Sequence, residues 1–348
     1  MRRRLFILIL AVLAVLPGCQ RRELEYGNVV VDLSLNINLN VRVNGQVRNM
    51  PKPEMMRVMF FDPDTYEFVT ETYLPAEGGR VSIAPGKYKF LGYNFDTETT
   101  LIRNDMDYRT IEAYTSEVSS ALKSNMLNAL RYGKLASSRA TKADPEADVW
   151  EIAIKKVQES AVIYEPDHLF VSHQEIEVKN ISGTQTIEAD AETVVETWQI
   201  SVKIENEQYM ASARALLTGQ IASNFIGFPK EEGKTDTDVT LMFDMNAGSD
   251  SEKNDVIVGQ FNTFGKNPSK ESRLLLTIII KTVGGETVSW TRDITDEFMK
   301  EDNIENQTIK ILDETIEIEP GTNPGGGGGG GFQPGVDDWE EENIPINI

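Results

Sequence analysis

The sequence predicts an all-β protein with a minor helix, built as two β-sandwich domains in tandem. Three observations carry that prediction. Val29 to Val43 alternates strictly, with Val29, Val31, Leu33, Leu35, Ile37, Leu39, Val41 and Val43 on one parity and mostly Asp, Ser, Asn and Arg on the other. Short apolar runs then recur between Pro, Gly and Asp turns, the spacing of a sandwich. The same pattern starts again near Thr193 and lasts to Glu319.

The alternating stretch is long for one strand, so a bend or split is expected within it. Asn44-Gly45 follows as a hairpin signal, because both central residues of a type I′ turn need positive φ. Met56 to Phe61 ends at the Asp62-Pro63-Asp64 turn, and Glu67 to Leu74 ends at a looser turn over Ala76 to Gly79. Val81 to Ala84 and Lys87 to Tyr93 flank Pro85-Gly86. Thr115 to Leu135 is the helical candidate, with Val118, Leu122, Met126, Leu127 and Leu130 at three- and four-residue spacing. Ala136 to Asp148 reads as a polar loop, and strand character returns at Pro166 to Phe170 and Glu175 to Val178.

In the second block Val194 to Asn206, the run from Ala213, Val239 to Met245 and Val256 to Phe264 read as strands. Arg273 to Val283 and Glu286 to Ile294 form a hairpin about Gly284-Gly285. Leu274 to Ile280 is apolar on both parities, which predicts a central strand covered on both faces. Thr308 to Glu319 closes the block.

The ends carry a different message. Arg2, Arg3 and Arg4 precede an apolar run from Leu5 to Leu16, too short to span a bilayer and suited to a secretory leader. Leu16-Pro17-Gly18-Cys19 resembles a lipobox, so cleavage is expected between Gly18 and Cys19, leaving Cys19 to carry lipid. Cys19 is the only cysteine in the 348 residues, so no intramolecular disulfide can form. Acyl chains contribute about 0.8 kcal/mol per buried CH₂, so two or three would anchor the protein without spanning. A formal net charge of −21, more acidic still without the leader arginines, disfavours nucleic acid. At the other end, Gly325 to Gly331 are consecutive glycines, and Ile344, Ile346 and Ile348 alternate beyond them.

Catalytic constellations are scarce. His168 and His173 lie five apart, off the helical spacing of a metal pair, and with Cys19 lipidated any transition-metal site would need carboxylates. Surface or turn positions are expected for both. The acidic runs Asp244 to Asp255 and Asp337 to Glu342 lack the calcium-loop pattern and read as solvated loops. No cofactor, no metal and no enzymatic activity are expected.

Several stretches resemble lipoproteins of the fimbrillin type from Bacteroidales-like bacteria, especially anchor and accessory subunits of type V fimbriae. They are CQRRELEYGN, MMRVMFFDPDTYEF, VSIAPGKYKFLGYNFDTETTLIRND with the following IEAYT, EPDHLFVSH, and the terminal VDDWEEENIPINI. The resemblance implies two transthyretin-like sandwiches on an outer-membrane lipoprotein, surface-exposed, with fimbrial subunits as partners by β-strand addition. The division expected is a signal peptide at 1–18, a spacer at 19–28, sandwiches at 29–185 and 186–320, a Gly-rich linker at 321–335 and a terminal strand at 336–348. Trp339, Ile344, Ile346 and Ile348 mark that strand as the segment for exchange, pairing with its own second domain or with a neighbour. The alternative is a surface glycan-binding lipoprotein, which needs an exposed aromatic platform. Trp150, Trp198, Trp290 and Trp339 are the tryptophans, and Trp198 and Trp290 fall within strand patterns that suit a core.

Overall fold

The computed structural model describes residues 27–135, 145–250, 253–269 and 272–319. The long first strand divides at Asn38 and Leu39 into β1 (Val29–Ile37) and β2 (Asn40–Val43). Asn44 and Gly45 take φ of 49° and 70° and turn the chain into β3 (Gln46–Asn49). Then come β4 (Met55–Phe61), β5 (Phe68–Pro75), β6 (Gly78–Ile83), β7 (Gly86–Asn94), β8 (Thr100–Arg103) and β9 (Glu112–Thr115). Helix α1 (Ser120–Tyr132) starts where the Ser119 hydroxyl accepts the Leu122 N–H. Next are β10 (Lys134–Leu135), α2 (Pro145–Glu159), β11 (Ala161–Ile163), β12 (Phe170–Val178) and β13 (Gln185–Thr193). The second half holds β14 (Glu196–Glu205), β15 (Met210–Ile221), β16 (Ser223–Phe225), β17 (Asp238–Ser249) and β18 (Asp255–Thr263). It ends with β19 (Leu275–Thr282), β20 (Thr287–Asp293), α3 (Thr295–Met299), α4 (Glu301–Asn306) and β21 (Thr308–Glu317).

The first sheet has the order β5-β4-β7-β12-β13-β1-β6, with β13 parallel to β1. Its two outermost strands, β5 and β6, are consecutive in the chain. A short turn joins them, so the sheet curls until its ends meet there. The parity predicted for β1 points inward: Val31, Leu33 and Leu35 pack with Met56, Val58, Phe60, Phe90 and Ile187. Gly78 fixes the turn, since its φ is +99° and a Cβ there would lie 2.0 Å from the Leu33 carbonyl oxygen.

The second sheet runs β10-β20-β19-β15-β17-β18-β14-β21, with β11 alongside β17. Trp198, Ile200, Val202, Leu276, Ile278, Ile280, Ile309 and Ile311 fill its concave side. On the convex side Met126 and Leu130 of α1 and Val157 of α2 cover Leu216, Met242 and Ile279. That explains the apolar residues on both parities of β19. Full burial of each such side chain contributes about 1.5–3 kcal/mol.

Three expectations change. The helix is shorter than Thr115 to Leu135, because Thr115 completes β9 and Lys134 and Leu135 pair with β20. The polar loop expected over Ala136 to Asp148 does not last to its end, because α2 begins on Pro145, a residue suited to the first helical turn. The division at 185/186 falls at the foot of β13, which belongs to the first sheet. The helices, although earlier in the chain, pack on the second. A third core joins the lobes: Met59, Phe61, Leu91 and Tyr93 meet Ile221, Ile226 and Phe264 from the second half. Strand pairing of β9 with β16 reinforces the junction.

Candidate functional site

Gly18, Cys19, Trp339, Ile344, Ile346 and Ile348, the residues singled out from sequence, all lie outside the described residues. What the described body offers is a set of sheet edges and a cleft between the lobes. The edges are unequal. On β21 the register with β14 shifts between Val202 and Lys203, leaving Leu312, Asp313 and Glu314 out of the ladder. Asp313 and Glu314 accept from Arg292 on β20 at 2.9 and 3.2 Å, and Glu297 accepts its other nitrogen at 2.9 Å. Burial works against the Arg292 charge, but hydrogen bonds to Asp313 and Glu297 outweigh it and raise its pKa. Lys134 of β10 pairs with Glu286 at 3.1 Å and with Glu319 at 3.7 Å. The open seam of the second sheet is thus clasped by charges and a bulge, two devices that blunt strand addition.

The first sheet presents β5 with less protection. Phe68 N–H donates to the Met106 carbonyl at 3.0 Å, covering the start of the strand. Beyond that, β5 pairs with β4 alone in the ladder. Val69 and Tyr73 on it are 46% and 42% exposed, and Tyr73 meets Phe95 edge-on at 5.3 Å.

The cleft forms because the β2–β3 hairpin leans from the first lobe onto the second. Gly45 N–H donates to the Asn306 carbonyl at 2.8 Å, Arg42 donates to the Glu305 carbonyl at 3.2 Å, and Arg48 to Gln260 at 3.1 Å. The space between is about 720 Å³. Glu196 stands in it, accepting from the Trp198 indole N–H at 3.0 Å and pairing with Lys234 at 3.4 Å and Lys230 at 3.5 Å. Burial opposes the Glu196 charge, yet the two lysines hold its carboxyl below the usual range. Burial likewise opposes the Lys234 charge, and Glu196 and Glu231 raise it again. Trp198 stacks on Phe298, ring centroids 4.1 Å apart.

Beside the cleft the chain crosses between lobes through Glu165, Pro166, Asp167 and His168. Asp167 accepts the backbone N–H groups of Glu98 and Thr99 at 2.7 and 2.6 Å. Glu165 accepts the Asn262 N–H at 2.8 Å, and burial pushes its carboxyl up to about 7, helped by Asp244 and Asp167. His168 is buried, not at the surface as expected, with its ring nitrogens 3.1 Å from Thr193 Oγ1 and 2.8 Å from Thr197 Oγ1. Burial lowers its pKa to about 4. Desolvation also lowers His173, which pairs in the ladder with Leu91. No group of three or more His, Cys, Asp or Glu placed to hold a metal occurs among the described residues. Asp244 pairs with Arg214, and Asp250 accepts the Asn254 N–H, so these acids serve local structure. Trp198 and Trp290 are core residues, as their strand positions suggested.

The family described as a domain of unknown function, DUF5119, matches residues 18–244. A protein of Bacteroides ovatus named, provisionally, a fimbrium anchoring subunit, Fim4B, is 24% identical over 217 residues. That alignment takes in 62% of this chain and 53% of the relative, so the chain spans about half the length of the curated relative it matches. Among solved structures, one provisionally described as an adhesin of Bacteroides ovatus superposes with a TM-score of 0.57 at 20% identity, covering 88% of this chain and 99% of that one. The fimbrial anchor protein Mfa2 of Porphyromonas gingivalis gives a TM-score of 0.44 at 10% identity, with 82% and 91% covered. The all-β, two-lobed fold expected from the sequence is met, and the expected resemblance to fimbrial anchor subunits is matched by the similarity to Fim4B.

Proposed function

The chain belongs to the DUF5119 family, and from that premise we propose that it is a non-catalytic anchor or accessory subunit of a fimbrium. The observation that carries the reading is the sequence similarity to the fimbrium anchoring subunit of Bacteroides ovatus. In this reading Cys19 bears the lipid, the outer membrane holds the protein, and other fimbrial subunits dock on the body, β5 offering the less protected edge. An added strand would gain main-chain hydrogen bonds along the edge and specificity from alternate side chains.

The test is genetic and biochemical together. Fimbrial subunits co-purify with the wild-type protein, and deletion changes fimbria length or attachment. A deletion strain with normal fimbriae and attachment overturns the proposal. Cys19→Ala moves the protein from the membrane to the soluble fraction; retention in the membrane would remove the lipid anchor from the account.

Glycan binding is the second reading, favoured by the exposed Tyr73–Phe95 ring pair, with Trp198 and Trp290 buried in the core. Binding on a glycan array that Tyr73→Ala abolishes would place it first.

A further inference from the structure

The cleft between the lobes inverts the charge balance of the chain. Overall, 55 acidic residues outnumber 34 basic ones. Around the cleft Arg42, Lys230, Lys234 and Lys266 face Glu196, Glu231 and Glu305. Lys266 has no carboxylate within ion-pair distance among the described residues; its ammonium donates to the Asn267 carbonyl at 3.0 Å. The cleft lining also includes apolar side chains open to solvent, Met299 at 56% and Ile304 at 44% exposed. A fitting occupant therefore carries several carboxylates and a large apolar side chain close together.

The chain contains one such segment. Asp337, Asp338, Glu340, Glu341 and Glu342 surround Trp339, and no Lys or Arg occurs from Val336 to Ile348. Residues 320–348 lie outside the described residues. We propose that this acidic segment docks in the inter-lobe cleft of its own chain, its carboxylates on Lys266 and the more open Lys230 and Trp339 on Met299 and Ile304.

Reach and electrostatics both favour the chain's own tail over a separate acidic partner. β21 starts at Thr308, directly after the cleft-lining Gln307, so a tail leaving its far end must return over roughly 33 Å of strand. Residues 320–336 include Gly325 to Gly331. A Gly-rich coil of about 17 residues has an r.m.s. span of roughly 20–25 Å and can extend to about 55 Å. Tethering supplies an effective concentration on the order of millimolar. A free acidic chain must instead approach a molecule of net charge −21. The glycine run then acts as the return path, and the acidic cluster beyond it as the anchor.

The test is zero-length carbodiimide cross-linking of the full chain, with peptides mapped by mass spectrometry. Cross-links from Lys230 or Lys266 to residues 337–342 are expected, with a yield unchanged by hundredfold dilution of the protein. They should fade as salt rises from about 0.1 to 0.5 M, where screening shortens to a few ångströms. Lys266→Glu abolishes them, while thermal melting and circular dichroism show the body intact. Met299→Ser exposes Trp339 to acrylamide, read as the difference between that variant with and without Trp339→Phe. Absence of these cross-links at low salt overturns the proposal. So does a yield that falls with dilution, which assigns the cleft to a second copy. Survival of the cross-links in Lys266→Glu also overturns it.

Discussion

Glu165→Gln isolates one of two opposed pH dependences built into the crossing between the lobes. The Glu165 carboxyl titrates near 4.5 when unfolded and about 7 when folded. Between those values the folded state holds a proton that the unfolded state has lost, so stability falls as pH rises through the window. The penalty is complete above pH 7. At about 1.4 kcal/mol for each pH unit separating the two values, it amounts to roughly 3 kcal/mol. His168 acts in the other direction: it titrates at 6.5 unfolded and about 4 folded. Between those values the unfolded state binds the extra proton, so stability rises with pH and is complete above 6.5, again by roughly 3 kcal/mol. The wild type should be nearly flat from pH 4.5 to 6.5 with respect to these two groups. The Gln variant keeps an acceptor for the Asn262 N–H but cannot ionise. Its urea midpoint, measured on the full chain from pH 4.5 to 8, should match wild type at pH 4.5 and exceed it increasingly toward pH 7. Taking the difference between variant and parent cancels the background of other acids. A difference that stays constant across this range, or a variant less stable than the parent at pH 8, refutes the reasoning.

Gly78→Ala must move the Leu33 carbonyl and strain a positive φ, so it should cost more than about 3 kcal/mol in denaturation, whereas Gly183→Ala, also at positive φ but with open space around it, should cost about 1 kcal/mol. Glu196→Gln leaves the buried Lys234 with the exposed Glu231 as its remaining partner. A loss of about 3 kcal/mol is expected by urea unfolding, and a loss under about 0.5 kcal/mol would mean the pair is solvated. Arg292→Met unclasps the seam of the second sheet: about 2 kcal/mol of stability is lost and amide exchange along β21 accelerates, with no change there arguing that the bulge alone closes the edge.

Local pattern carried most of the fold. The alternation of β1 and β14, the Asn44-Gly45 hairpin and the double-sided apolar run of β19 each record an environment that repeats along one stretch of chain. β13 escaped because its inward positions are Ile187, Ala189 and Ala191. Alanine fits a closely approached face, yet contributes little to an apolar periodicity. α2 escaped for another reason. Its start lies in a polar run, and the apolar spacing of Trp150, Ala153, Ile154 and Val157 appears only after Pro145 is taken as a helix start.

The cleft was illegible because its parts are complementary across distance, not repeated along the chain. Lys230 and Lys234 are four apart and read as an ordinary charged loop; the carboxylate that organises them is Glu196, 38 residues from Lys234, at the first position of a strand. The hairpin forming the opposite wall is contributed by Asn40 to Arg42, from the other lobe. Glu165 and His168 show the same limit in titration. Nothing in EPDHLFVSH distinguishes a carboxyl raised to about 7 from a solvated one, or a buried imidazole from a surface one. Both states arise because two sheets close over the crossing, and that closure depends on the third core of Met59, Phe61, Ile221 and Phe264. The cleft and the crossing beside it are therefore products of how the lobes meet. Variants that loosen the third core without touching Glu196 or Glu165 should perturb both together.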